Sequence, residues 1–176
     1  MDDDELQRWI DEWSAQYPSA YDDSLAALEG IESLGHDDAE ALYRWKFRGL
    51  WSKRKIKQMR AFPEPEIREL TRRAFLCEDE LGALLILNLV PGLSAAGSSA
   101  VLAAQQPERY TVMDVRALAS LIALDRWSRE AQGARASAYT WLEYLATCRK
   151  ISAETGCSLR TVDRALWKAN GAVERR

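Results

Sequence analysis

Residues 84–121, LLILNLVPGLSAAGSSAVLAAQQPERYTVMDVRALASL, decide the fold of this chain. They begin as an apolar helix that breaks at Pro91-Gly92, and a second helix, rich in small residues, begins at Ser94. An extended piece over 110–113 then leads to Asp114, at the start of a third helix. The segment therefore predicts two helices joined by a tight hairpin, followed by an acidic residue at a helix start.

The rest of the chain is also predicted to be helical. Alternating β-branched stretches are short, and most windows place apolar residues at the spacing of one helix face. The pattern predicts an all-α fold of roughly nine or ten helices. The predicted spans are 5–16, 24–33, 37–47, 53–60, 63–75, 78–88, 94–105, 114–124, 134–152 and 158–169.

Length and composition favour one globular domain over residues 1–176, with an acidic helical part at 1–35 and the two-helix hairpin at 78–106. No apolar run is long enough to span a bilayer, and the acidic start MDDDELQRW lacks the pattern of a secretion signal. We therefore expect a cytoplasmic protein with no membrane partner. Three cysteines without CxxC spacing indicate reduced thiols, and a single histidine, His36, argues against a histidine metal site or a Ser-His-Asp triad.

The net charge of −3 conceals a strong asymmetry. Residues 1–43 carry thirteen acids and one base, whereas residues 44–60, RWKFRGLWSKRKIKQMR, carry eight bases and no acid. A basic run of this density can bind phosphates even on an acidic protein. The alternative is a solvated face that pairs with the acidic N-terminal part.

The hairpin has the chemistry of a phosphate clamp. Gly92 supplies the backbone freedom that a tight reversal needs. The helix that begins near Ser94 directs unpaired N–H groups outward, and its dipole favours an anion. An ordinary turn between two helices is the alternative, because Pro-Gly is a common helix breaker.

The order of hairpin and acid resembles the helix-hairpin-helix DNA glycosylases, most strongly over about residues 40–125, with SLRTVDRALWKANG near the C-terminus as a weaker extension. The resemblance implies helices arranged around a cleft, a base flipped out of DNA and cleavage of its N-glycosidic bond. It also implies that Gly92, Ser94, Ala95 and Ala96 bind the DNA backbone. The chain departs from the family pattern where Ser94 replaces a second glycine and where Arg116 stands in place of a common histidine.

The resemblance makes Asp114 the catalytic residue, since a fixed carboxylate stabilises positive charge on the sugar and can orient water. The alternative is a helix N-cap, a position that aspartate also favours. Family members that also nick the strand carry a lysine where this chain has Ala96. The resemblance therefore implies a monofunctional enzyme, unless a lysine reaches in from 44–60. Arg116 is expected to contact a phosphate, to keep Asp114 ionised, or to form a buried pair.

Aromatic residues interleave with the basic run. Trp45 and Trp51 are predicted to line the base pocket, because aromatic side chains beside bases and phosphates are typical of nucleic-acid sites. The alternative is that both tryptophans anchor adjoining helices in the core. We expect the DNA-binding face of this run to include Lys46, Arg48, Lys53 and Arg54.

The resemblance thus implies a DNA glycosylase that acts on double-stranded DNA in base excision, and we expect it to be a monomer. The resemblance implies no redox cofactor or catalytic metal, and it allows a monovalent cation at the hairpin carbonyls. A repair role is one hypothesis, and antiviral defence against bulky or hypermodified phage bases is another. Two other classes stay open: a non-catalytic helix-hairpin-helix module that binds nucleic acid, and a helical protein-interaction domain.

Overall fold

A computed structural model describes residues 1–19, 22, 26–47, 50–128 and 137–170, with the side chains of 50 and 51 left aside. Over these residues the chain is all-helical and contains no strand, which confirms the predicted fold class at that level. The helices are α1 (Asp3–Ala15), α2 (His36–Lys46), α3 (Leu50–Arg60), α4 (Glu64–Leu76), α5 (Glu80–Leu87), α6 (Ala95–Gln105), α7 (Val115–Ala123), α8 (Ala138–Thr155) and α9 (Leu159–Ala169).

The helices are distributed over two compact units. The first unit comprises Met1–Pro18 and Pro107–Arg176, and the second comprises Ser19–Gln106. The acidic part predicted at 1–35 is therefore divided between them, with α1 in the first unit. The hairpin lies in the second unit and Asp114 in the first, so each is described within its own unit.

In the first unit, α9 packs against α1, α7 and α8. Trp141 and Tyr144 of α8 are fully buried, as are Leu6 and Ile10 of α1. Large apolar side chains of this kind each contribute roughly 1.5–3 kcal/mol when removed from water. The core of this unit therefore holds the extended segment before α7 against α8 and α9.

In the second unit, α5 packs against α4 and α6, and α2 packs against α3 and α6. Almost the whole of α6 is buried, which its small side chains permit. A Cβ at Gly97 would come within 2.9 Å of the Leu93 side chain and 3.1 Å of the Phe47 ring, so a larger residue here would require those side chains to shift. The small residues of α6 thus allow the second helix of the hairpin to lie deep in its unit.

Most predicted helix ends agree with the structure to within a few residues, and the capping residues explain them. Asp79 and Ser158 cap α5 and α9, each by accepting a backbone N–H with its side chain. Two predicted spans need correction. Residues 27–33 form turns and irregular backbone, so no helix continues to 33. The helix predicted from 134 begins at Ala138, with residues 129–136 outside the described part.

Candidate nucleic-acid interface and carboxylate site

The hairpin predicted at Pro91-Gly92 joins α5 to α6. Asn88 ends α5, and the Leu93 N–H donates to the Val90 carbonyl at 3.1 Å to close the turn. Gly92 has φ +87°, a left-handed conformation that L-residues with a side chain rarely adopt. The sequence therefore identified the residue that makes the reversal.

The N-terminus of α6 differs from most other helix starts in the described chain. Asp2, Asp79, Asp114, Ser137 and Ser158 each cap their helix with a side-chain oxygen. Ser94 occupies the N-cap of α6, is exposed, and makes no side-chain cap hydrogen bond. The first-turn N–H groups of a helix have no intrahelical acceptor. An anion at this end would therefore meet amide donors that the Ser94 hydroxyl does not occupy.

Two side chains from neighbouring helices hold the hairpin. The Tyr43 hydroxyl on α2 donates to the Pro91 carbonyl at 3.0 Å. The Lys55 ammonium on α3 donates to the Gly92 carbonyl at 2.5 Å and lies 4.4 Å from the centre of the Phe47 ring. Burial lowers the pKa of Lys55, because desolvation disfavours its charged form. The sequence placed Lys55 in the basic run but did not single it out for this contact.

Gly92→Ala is expected to destabilise the protein by about 1–3 kcal/mol, because alanine is strained at positive φ. The added Cβ would also lie 3.1 Å from the Lys55 carbonyl oxygen. Urea unfolding checks this. Gly30→Ala is the matched control, since Gly30 has φ +70° but a Cβ added there would meet nothing within 4 Å among the described residues beyond its neighbours in the chain. Equal losses for the two variants would show that the contact with Lys55 contributes nothing.

The basic run of residues 44–60 divides into paired and exposed cations. Arg60 lies 2.7 Å from both Asp37 and Glu40, and Arg44 also binds Glu40. Hydrogen bonds from Arg44 and Arg60 lower the pKa of Glu40. The stabilisation from this pairing is therefore fully present at pH values above the ordinary carboxyl pKa, and it is lost as the pH falls through the lowered pKa of Glu40. The alternative of pairing with acids thus holds for part of the run. In the described part of the chain, three exposed cations on α3 make no ion pair: Lys53, Arg54 and Lys57.

The predicted base pocket is described only in part. Trp45 and Lys46 are half-buried near the end of α2. Arg48 and the Trp51 side chain lie outside the described residues, so their predicted roles stay predictions. Phe47 is half-buried too, and its ring contacts Tyr43 edge-on at 6.0 Å. Tyr43 and Phe47, four residues apart, are two aromatic side chains of the described chain that contact the hairpin and the helix after it.

Asp114 stands at the N-cap of α7 in the first unit. Its backbone is extended, with φ −140° and ψ 146°, and its Oδ1 accepts the Arg116 N–H at 3.0 Å. Asp114 is half-buried. Asp114 therefore does act as the N-cap of α7, which was the alternative to a catalytic role. This hydrogen bond does not require Asp114 to be fully buried.

The extended segment before Asp114 is held by long-range hydrogen bonds. The Thr111 hydroxyl donates to Asp163 Oδ1 at 3.0 Å, and the Tyr144 hydroxyl donates to the Val112 carbonyl at 3.2 Å. Tyr110, Thr111, Val112 and Met113 are all buried. Asp114 thus follows a segment whose position is set by α8 and α9.

A chain of cation–aromatic contacts lies beside α7. The guanidinium of exposed Arg116 lies 4.6 Å from the centre of the Trp167 ring. The Trp167 and Tyr17 rings pack in a T-shaped arrangement, with their centres 5.4 Å apart. Arg160 and Arg164 lie 5.5 and 5.9 Å from the same Tyr17 ring. Arg116 is exposed and lies over an aromatic ring, so it does not form the buried pair that was one of its expected roles. Its phosphate contact stays a prediction, which suits a guanidinium on an aromatic face.

Asp163→Asn is expected to lower the free energy of unfolding by about 3 kcal/mol, because removing one partner of a buried ion pair leaves the other uncompensated. Asp163 is buried and pairs with Arg160 as well as Thr111. The urea midpoint measures the loss. Glu143→Gln, an exposed change on α8, is the control and should stay within about 0.5 kcal/mol of the parent. A urea midpoint for Asp163→Asn equal to that of the parent would show that the hydrogen bonds of Asp163 do not stabilise the protein.

The described residues contain no group of three or more His, Cys, Asp or Glu side chains that could hold a metal ion. Cys148 is buried, and desolvation raises the pKa of its thiol, which therefore stays protonated at neutral pH. None of the described helices is long and apolar enough to cross a bilayer. Comparison with protein-family models, characterised proteins and solved structures gives no match for this chain.

Proposed function

We propose that this chain is a monofunctional DNA glycosylase that hydrolyses the N-glycosidic bond of a damaged or modified base and leaves an abasic site. The observation that carries the proposal is Asp114, half-buried at the start of α7 and following a buried segment fixed by Asp163 and Tyr144. Departure of a base builds positive charge on the sugar, and a preorganised anion lowers the barrier to that step. The same carboxylate orients the attacking water.

The hairpin supports the DNA-binding part of the proposal. Its second helix begins with amides that Ser94 does not cap, and exposed Lys53 and Arg54 lie on α3, whose Lys55 contacts the hairpin. Amide donors and nearby cations together suit phosphodiester oxygens without reading base sequence. In the first unit, Arg116 stacked on Trp167 adds a cation two residues from Asp114.

Lys55 bears on whether the enzyme would also nick the strand. It belongs to residues 44–60 and reaches the hairpin. A lysine in this position is the exception under which the resemblance would still allow cleavage of the DNA strand. Burial lowers the pKa of Lys55 and so opposes the ammonium form. The nitrogen nevertheless donates to the Gly92 carbonyl and faces the Phe47 ring, and both contacts favour an ammonium over a nucleophilic amine. This supports water as the nucleophile.

The test uses duplexes that carry oxidised, alkylated, deaminated or bulky modified bases. Cleavage after heating in alkali, without cleavage before it, is the expected result for a monofunctional enzyme. Borohydride during the reaction would trap a protein–DNA adduct if any lysine attacked the sugar, and such an adduct would contradict the monofunctional assignment. Binding without cleavage on every duplex would contradict the enzyme proposal.

A non-catalytic nucleic-acid-binding module is the second candidate. The hydrogen bond from the Arg116 N–H to Asp114 favours it, because a capping role alone accounts for aspartate at that position. Such a module would bind all duplexes alike, with affinity that falls steeply with salt. Absence of binding even at low salt would favour the helical protein-interaction domain instead.

For the substrate, we propose bulky or hypermodified bases of the kind found in phage DNA. The experiment compares genomic DNA from phages with and without modified bases as substrate. Abasic sites confined to the modified DNA are expected under a defence role. Activity on oxidised or alkylated duplexes alone would assign the enzyme to repair instead.

A further inference from the structure

Three consecutive carbonyl groups of the hairpin already have donors from the chain itself. The Val90 carbonyl accepts the Leu93 N–H at 3.1 Å, the Pro91 carbonyl accepts the Tyr43 hydroxyl at 3.0 Å, and the Gly92 carbonyl accepts the Lys55 ammonium at 2.5 Å. A monovalent cation at the hairpin, which the family resemblance allows, would use backbone carbonyl oxygens of this kind as its ligands.

The Lys55 ammonium is held in place from several sides. The Gly92 backbone lies directly on α3, since a Cβ there would be 3.3 Å from the Lys55 Cα. The ammonium also lies over the Phe47 ring, whose π face attracts a cation. Phe47 in turn contacts the Gly97 position of α6. The positive charge is thus fixed between the turn and the first helical turns that follow it.

A metal cation bound to the Gly92 oxygen would share that oxygen with an ammonium group only 2.5 Å away. Two like charges that bind the same oxygen repel each other, most strongly where the site is partly buried. The residues present therefore do not fit a monovalent cation at this carbonyl.

We propose that the Lys55 ammonium takes the place of that cation, so that the hairpin keeps its shape without any alkali-metal ion. The inference concerns the folding of the hairpin and goes beyond glycosylase activity. Only its consequence for DNA binding, the absence of a requirement for Na⁺ or K⁺, rests on the proposed function.

The experiment measures hydrogen exchange at the Leu93 amide and thermal unfolding in NaCl, KCl and choline chloride at equal ionic strength. Choline is too large to be coordinated by the turn. For the parent protein we expect exchange rates that agree within about twofold in the three salts. Exchange about tenfold faster in choline than in NaCl or KCl would overturn the proposal, and this arm needs no variant.

Lys55→Met removes the charge and keeps an apolar stem of similar length. We expect its Leu93 amide to exchange about tenfold faster than in the parent in choline chloride. Lys57→Met, an exposed change on the same helix, is the control and should exchange like the parent. Parent-like exchange in Lys55→Met would equally overturn the proposal. If the parent protein does not bind DNA in any of the three salts but its Leu93 amide exchanges as expected, the proposed function is contradicted and the role of Lys55 in the hairpin is not.

Discussion

Asp114→Asn is expected to bind modified duplex DNA like the parent and to cleave the glycosidic bond about 10²–10⁴-fold more slowly. Asparagine keeps an oxygen that can accept the Arg116 N–H, so the cap on α7 survives and the fold is retained. What is lost is the negative charge that would stabilise the cationic sugar. Single-turnover cleavage and binding by anisotropy, on the same duplex, separate the two effects.

Asp79→Asn is the matched control for this substitution. Asp79 is also an N-cap aspartate, accepting the Gly82 N–H at 2.6 Å at the start of α5. It undergoes the same chemical change at a helix that has no assigned catalytic role. We expect parent rates for Asp79→Asn, and an unchanged rate for Asp114→Asn would remove its carboxylate from the mechanism.

The double variant Lys53→Gln/Arg54→Gln is expected to weaken DNA binding by about one to two orders of magnitude at low salt and to reduce the slope of log affinity against log salt by about 2. Both side chains are exposed on α3, the helix that supplies Lys55 to the hairpin. Each is expected to neutralise one phosphate and release one counterion. The losses should be similar for all duplex sequences, because phosphate contacts do not read bases.

Arg72→Gln/Arg73→Gln provides the control, since it removes the same charge from the same unit. Both arginines are on α4 and bind Glu69. If net charge alone drove association, the two double variants would lose equal affinity. If the slope of log affinity against log salt falls only for the α3 variant, Lys53 and Arg54 contact phosphates. If the slopes of the two double variants are equal, the proposed phosphate contacts of Lys53 and Arg54 are contradicted.

Local rules predicted the elements around the candidate sites. Gly92 was predicted to make the hairpin because glycine supplies the backbone freedom that a tight reversal needs, and its φ of +87° confirms that it uses this freedom. Asp114 was placed at the start of a helix, where it is found. Both predictions depend on residues within one or two helical turns of each other, so the sequence pattern contains the necessary information.

The roles of individual cations could not be read in the same way. Residues 44–60 carry eight bases that look alike by composition, yet Arg44 and Arg60 bind acids of α2, whereas Lys55 binds the hairpin. The partner of Lys55 is 37 residues away, and the partner of Thr111 is 52 residues away. Contacts over such distances depend on how the helices pack, and no periodicity within a single helix encodes them.

The sequence by itself determined an all-helical chain, a glycine hairpin and an aspartate at a helix start, because turn geometry and capping act within a few residues. Only the tertiary structure decided that Ser94 leaves the α6 amides uncapped, that Lys55 is the cation on the hairpin, and that Asp163 holds the segment before Asp114. The contacts of Lys55 and Asp163 depend on side chains brought together from separate helices, where burial and packing select one partner among several of the same chemical type.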